Sequence, residues 1–236
     1  MSLRLYIIRH AEPDYANNTI TAPGHLEAKA LSKRLQQEKL TRIYSSPMGR
    51  ALHTMQYTSE ATGLEHTVEE WTAELGKWRY VKPDGTKEVV WNAAAELIRN
   101  RDPLPAHSDW HTQHPYDNPE FPGYFQELKE QSDKFLLAHG YKREGGRYRI
   151  VKPNEDRIAV FCHMGFGLAW LAHLLELPLS LVWSGYWLPP SSVTTVLLEE
   201  RSEGWAVPRC LGMGDVSHLY ESGLPVSSMG LQANTD

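Results

Sequence analysis

Leu3-Arg4-Leu5-Tyr6-Ile7-Ile8-Arg9-His10-Ala11-Glu12 begins with an apolar run and ends in an arginine, a histidine and an acid. The run is short and rich in β-formers, so Leu3 to Ile8 reads as a buried strand. Two later runs repeat the pattern. Ile43-Tyr44-Ser45-Ser46-Pro47 is followed by Arg50, and Ile158-Ala159-Val160-Phe161-Cys162 leads into His163-Met164-Gly165. Helical periods lie between and after them. Ala28, Leu31 and Leu35 share one face of a helix expected from about His25. Ser46-Pro47 carries an N-cap and first-turn proline signal for a second helix, which should run to Thr62 and stop at Gly63. Leu168, Leu171, Ala172 and Leu175 mark a third, ended by Pro178. Strands alternating with helices predict an α/β fold, a three-layer α/β/α arrangement with a mostly parallel central sheet. Such sheets carry their sites at the carboxyl ends of strands, where Arg9, His10, Arg50 and His163 all fall.

The rest of the chain fits one domain over residues 1–236 with an inserted, cap-like segment at about 78–152, expected to cover the active site. That segment is rich in proline, glycine and aromatics and has poor periodicity, apart from one helix whose face holds Phe125, Leu128, Phe135 and Leu136. Its aromatics, among them Trp78, Tyr80, Trp91, Trp110, Tyr116, Phe121 and Tyr124, suit either a small core of their own or a wall over the pocket. Ser192 to Glu199 and Trp205 to Leu211 read as two strands joined around Glu203-Gly204. The polar stretch after Pro225 is expected to fray.

The totals narrow the function classes. At 236 residues the chain can bury an ordinary core without staples. A net charge of -5 argues against nucleic acid or an anionic membrane as partner, although a pocket can still be locally positive. No apolar run is long enough to span a bilayer, and the start of the chain shows no leader pattern. Cys162 and Cys210 both sit in strand-like runs and read as buried thiols, so a cytoplasmic setting is expected. His107, His111 and His114 have spacings that could suit a metal, but Pro103, Pro105 and Pro115 surround them, and a solvated loop is the expectation. No metal or other cofactor is expected. Cys162 beside His163 is not read as a nucleophile pair, because neighbouring strand residues face opposite ways.

Two histidines and two arginines at adjacent strand ends would make a phosphoryl-transfer site, provided the three runs are neighbours in one sheet. Arginine offers a planar fork to phosphate oxygens and stays charged. A neutral histidine can attack phosphorus, a second can donate hydrogen bonds where charge develops, and a helix beginning after His163 would add backbone N–H groups. A carboxylic acid is needed to protonate the leaving oxygen and then activate water.

Arg9-His10-Ala11-Glu12-Pro13, Ser45-Ser46-Pro47-Met48-Gly49-Arg50-Ala51 and Cys162-His163-Met164-Gly165 together resemble the histidine phosphatase superfamily, the phosphoglycerate mutase-like group. Ile20-Thr21-Ala22-Pro23-Gly24 and Gly214-Asp215-Val216-Ser217-His218 extend the likeness, which covers residues 3–76 and 157–219. The resemblance implies that His10 is the nucleophile, that Arg9 and Arg50 grip phosphate oxygens, and that His163 is the second histidine of the pocket. It also implies metal-independent chemistry on a small phosphorylated substrate. Ala11 stands where the common motif has glycine. Glu74-Leu75-Gly76-Lys77-Trp78 has the parts of the family's acid motif at a tighter spacing, which makes Glu74 the expected acid and base and Glu70 the second choice. A phosphatase working through phospho-His10 is the preferred function. A phosphoglycerate-type mutase and a non-catalytic phospholigand-binding module are the alternatives. The substrate and the oligomeric state are open.

Overall fold

The computed structural model describes residues 2–231. The first strand, β1 (Arg4–Arg9), is followed by a small hairpin of β2 (Pro13–Asp14) and β3 (Thr19–Ile20), then α1 (Ala22–Gln37), β4 (Arg42–Ser45), α2 (Gly49–Thr62) and β5 (His66–Val68). A second hairpin, β6 (Arg79–Val81) and β7 (Lys87–Val89), leads to α3 (Glu96–Arg99), α4 (Phe121–Ala138) and a third hairpin of β8 (Tyr141–Glu144) and β9 (Arg147–Ile150). The chain then forms β10 (Arg157–Cys162), α5 (Met164–Leu174), α6 (Leu179–Gly185), β11 (Val193–Ser202), β12 (Trp205–Asp215) and α7 (Ser217–Glu221).

Eight strands form the central sheet in the order β5-β4-β10-β1-β11-β12-β9-β8. β5, β4, β10 and β1 pair in parallel, and the rest of the sheet is antiparallel. The parallel half carries the three runs read from the sequence, now as immediate neighbours. Alternation along β1 sets the layers. Leu3, Leu5 and Ile7 join one core with Ile158, Val160, Cys162 and the apolar face of α5, while Tyr6 and Ile8 join another with Leu31, Leu35, Met55 and Phe161 beneath α1 and α2. Among the described residues no helix is long and apolar enough to cross a membrane.

Several local expectations shift. α1 starts at Ala22, before His25, because Thr21 is a working cap whose hydroxyl accepts from Gly24 N at 3.1 Å. Ser46 does not cap α2. Met48 occupies that position without a side-chain cap, and Gly49 opens the helix where an added Cβ would stand 2.2 Å from the Asn18 carbonyl. The β8–β9 hairpin does not stand apart from the domain but extends the central sheet through β12. Its turn uses Gly145 at φ +68, and Tyr141 and Tyr148 supply the buried side of an otherwise charged pair of strands. Cys162 is buried as expected, but Cys210 is only partly buried, on a strand whose side chains reach solvent every second residue. The aromatics of the inserted segment make no core of their own but join the one beneath β1, β10 and α5. Trp78 stacks on Phe121 (5.0 Å between centroids), Tyr116 stacks on Trp183 of α6 (5.8 Å), and Trp78 meets Trp183 edge-on.

One carboxylate of α1 belongs to this packing. Glu27 is buried and accepts from Glu12 N at 3.0 Å. Burial pushes its carboxyl from an ordinary 4.5 to about 7, against the pull of that backbone hydrogen bond. The unfolded chain releases the Glu27 proton near 4.5, whereas the folded one keeps it to about 7. Folding therefore binds a proton across this window, and stability falls as pH rises through it. Glu27→Gln is expected to flatten that slope in thermal melts across the window; melting curves that stay parallel to wild type would contradict the assignment.

Candidate active site

The parallel register brings the site together. Arg9 is paired with Cys162 and Phe161 with Ser45, so β1, β10 and β4 end level with one another. His10 N donates to Cys162 O at 2.9 Å and Ser46 N to Phe161 O at 2.8 Å, which carries the alignment one residue past the strands. As a result the rings of His10 and His163 lie 5.2 Å apart between centroids. Arg50, in the first turn of α2, joins them from the β4 side. Arg9, His10, Arg50 and Glu74 line one cavity of about 510 Å³.

His10 is held in a single useful tautomer. Its Nδ1 is 2.7 Å from the Ala11 carbonyl, which can only accept, so Nδ1 carries the proton and Nε2 keeps its lone pair. Burial, then the charges of Arg9 and Arg50, hold the imidazole well below its ordinary range, so it is neutral. His163 is likewise pushed well down, by burial first and then by His10 and the two arginines. Its Nε2 lies 2.7 Å from Ser46 Oγ, and its Nδ1 has no protein partner among the described residues. When Ser46 donates, Nδ1 bears the proton and is a free donor beside His10.

Both guanidinium groups are buried. Arg9 donates to the Leu188 carbonyl and, at 2.9 Å, to the Met229 carbonyl. Arg50 donates to Asn18 Oδ1 at 3.3 Å and lies over the Tyr15 ring at 5.5 Å. Neither Nε has a partner among the described residues. Among the described residues no carboxylate pairs with either arginine within ion-pair distance, which leaves their charge uncancelled there.

Glu74 reaches the cavity from the loop after β5, whereas Glu70 does not line it and borders a separate cavity behind that loop. The Glu74 carboxylate accepts from Phe166 N at 2.9 Å and Gly165 N at 3.2 Å, in the first turn of α5. Burial pushes its pKa up, opposed by hydrogen bonds from Leu75, Phe166 and Gly165 and by Arg50. His218 lies outside the cavity but supports it. Its Nε2 is 3.2 Å from Ser191 Oγ, and Ser191 N donates to the His10 carbonyl at 3.0 Å. Cys162 does not line the cavity, in keeping with its place in the core.

The sequence reading missed Ser46, Arg79, Glu88, Met229 and Gly230. Ser46-Pro47 has the signature of a helix start, but the Ser46 hydroxyl serves His163. Of the aromatics expected as a wall over the pocket, Trp91 does line the cavity, with its ring packed on Gly165, where an added Cβ would come within 2.6 Å of it. Arg79 and Glu88, on the β6–β7 hairpin, form the outer wall. The segment after Pro225, expected to fray, lays Met229 and Gly230 over Arg9, with Gly230 at φ +87; residues 232–236 lie outside the described part. His107 and His114 pair with Glu176 at 3.3 Å and Asp117 at 3.8 Å, and among the described residues no group of three or more His, Cys, Asp and Glu could hold a metal.

The profile of the histidine phosphatase superfamily, branch 1, matches residues 5–210, and the chain belongs to that superfamily. A Hydrogenobacter thermophilus protein provisionally named phosphoserine phosphatase 2 is 28% identical over 117 residues, 43% of this chain and 57% of that protein. A Serratia proteamaculans protein provisionally named phosphoglycerate mutase GpmB is 23% identical over 112 residues, 36% of this chain and 52% of that protein. The chain thus spans about half the length of the curated relatives it matches. Among solved structures, the mycobacterial glucosyl-3-phosphoglycerate phosphatase superposes with a TM-score of 0.59 at 17% identity, over 91% of this chain and 99% of that one. The Entamoeba histolytica phosphoserine phosphatase bound to 3-phosphoglyceric acid gives 0.60 at 18%, over 92% and 99%. These likenesses establish the fold.

Ser46→Ala leaves two buried ring nitrogens of His163 without partners. It is expected to cost about 1–3 kcal/mol of stability in urea denaturation, the usual range for a buried polar group stripped of its partner; an unchanged midpoint would show that His163 does not depend on Ser46.

Proposed function

We propose that this member of the histidine phosphatase superfamily hydrolyses a small phosphomonoester through a phosphohistidine on His10. One observation carries the proposal: a neutral histidine with a free Nε2 stands among two buried arginines that have no carboxylate partner among the described residues. In the first step Nε2 attacks phosphorus and the ester P–O bond breaks, while Arg9, Arg50 and His163 hold the phosphoryl oxygens. Glu74 gives its proton to the leaving oxygen. In the second step water attacks the phosphohistidine, Glu74 takes the water's proton, and inorganic phosphate leaves with His10 restored. The raised pKa of Glu74 suits a group that must carry a proton near neutral pH. No step calls on a metal or organic cofactor. A cytoplasmic setting, with neither nucleic acid nor membrane as partner, accords with the net charge and the two free thiols.

The provisional mutase names of two relatives keep phosphoryl return in view. We favour hydrolysis, because only the short β2–β3 hairpin separates Glu12 from Thr21 at the cavity mouth. A non-catalytic binder would have no use for a nitrogen freed for attack.

An activated phosphate donor should leave an acid-labile label on His10. His10→Ala should abolish both label and turnover with the fold intact, and retained turnover would refute the assignment. Arg50→Ala should raise KM and lower kcat together by about tenfold or more, the scale of losing a charge-assisted phosphate contact. Incubation with a phosphoglycerate separates the two reactions: free phosphate is expected, and isomerisation without it would make the protein a mutase.

A further inference from the structure

The two oxygens of Glu74 sit on backbone donors that an oxyanion would also use. Gly165 N and Phe166 N belong to the first turn of α5, which follows His163 directly and runs for eleven residues. The N-terminal end of that helix, with its unpaired backbone N–H groups, favours negative charge. Beside it, Arg9 Nε, Arg50 Nε and His163 Nδ1 are buried with no protein partner among the described residues. Glu74 therefore fills the α5 amides with a charged acceptor, whereas the arginine N–H groups that are filled meet only neutral ones among the described residues. A carboxylate and a phosphate dianion in contact at one helix end would repel each other.

We propose that the α5 amides of Gly165 and Phe166 are oxyanion donors, that Glu74 stands in for the ligand in the free protein, and that an arriving oxyanion displaces the Glu74 carboxylate, which takes one proton from solvent as it leaves. This rests on the reading of the cavity as a phosphate site. The exchange gives the amides to the oxyanion and turns Glu74 into the neutral acid that a leaving group needs. Protonation and substrate binding are then a single event, and the acid is armed only when an anion is present.

The groups that face Glu74 set the terms of the exchange. Arg9 on β1 and Arg50 on α2 favour its charged form, while Cys162 on β10 lies close enough for Glu74's charge to raise the thiol's pKa. His10 and His163 are neutral beside it. Tyr15, Arg79 and Glu88 line the same cavity. Either histidine could in principle take the proton instead, so the test must tell the three apart.

Inorganic sulfate is the suitable probe, because it stays a dianion across the neutral range and adds no titration of its own. Calorimetry at about pH 8, where carboxyls ordinarily are ionised, in buffers of different ionisation enthalpy counts protons taken up on binding. Close to one proton per sulfate is expected for the wild-type protein and none for Glu74→Gln. The same variant should bind sulfate about fivefold tighter or more, the lower range of ordinary coupling between sites, while losing turnover. Glu70→Gln should match wild type in affinity and proton count. Sulfate binding without proton uptake, uptake that persists in Glu74→Gln, or weaker binding in a folded Glu74→Gln would each overturn the exchange. The underlying site reading is tested separately by Arg50→Ala, which should weaken sulfate. If the wild-type protein binds no sulfate at all, both the site reading and the exchange fail; if Arg50→Ala weakens binding but no proton moves, only the exchange does.

Discussion

The burial of two guanidinium groups against two imidazoles governs the site. Arg9 and Arg50 cannot give up their charge, and neither has a carboxylate partner among the described residues. Their field, added to burial, keeps His10 and His163 unprotonated. Backbone carbonyls, an asparagine oxygen and thioethers receive some of the arginine N–H groups instead. Such acceptors satisfy donors without cancelling charge, so the cavity keeps a positive potential in a protein that is acidic overall. That combination suits a small anion and explains why net charge alone is a poor guide to the ligand.

The sheet makes this arrangement possible. Four parallel strands end level; β1, β10 and β4 end in or lead directly to a residue of the proposed chemistry or its support, and the loop after β5 brings Glu74. The antiparallel half adds no cavity arginine or histidine; it lends breadth to the core and carries Ser191 and Ser192, which brace His10 and Arg9 through the backbone. His218 buttresses Ser191, itself at φ +56, from beyond the sheet. Its segment closes the family pattern, but its partner Ser191, 27 residues away, is not legible in that pattern.

The legible parts share a cause. β1, β4 and β10 are apolar runs with local punctuation, and Arg9, His10, Arg50 and His163 follow them within a few residues, so local pattern placed them. What escaped depended on distant partners. Ser46-Pro47 has the local signature of a helix start, yet His163, more than a hundred residues away, claims the hydroxyl. The place of the β8–β9 hairpin in the central sheet depends on Trp205 and Ala206 of β12, more than fifty residues away, and its inward tyrosines lie among Lys142, Arg143, Arg147 and Arg149. The Met229 contact is made by a carbonyl, a group every residue carries, so no side-chain pattern could announce it.

The C-terminal contact has a consequence for the first step of binding. Met229 O takes an N–H from Arg9, and Gly230 leaves no room beyond it: a Cβ there would stand 3.0 Å from Arg9 Nη2. A substrate that uses the full arginine fork must therefore compete with a backbone carbonyl at Arg9, just as it must compete with Glu74 at the α5 amides. Each internal acceptor reduces the cost of holding buried donors in the free protein, and each lowers the net gain on binding an anion. A dianion can outbid both because it brings two charges and several oxygens to donors that a neutral carbonyl and a single carboxylate satisfy only in part. By the same reasoning a neutral ester or a monoanion gains less from the exchange. Under the proposed function, the internal acceptors would favour phosphomonoesters over phosphodiesters, a preference set by charge rather than by the shape of the cavity wall.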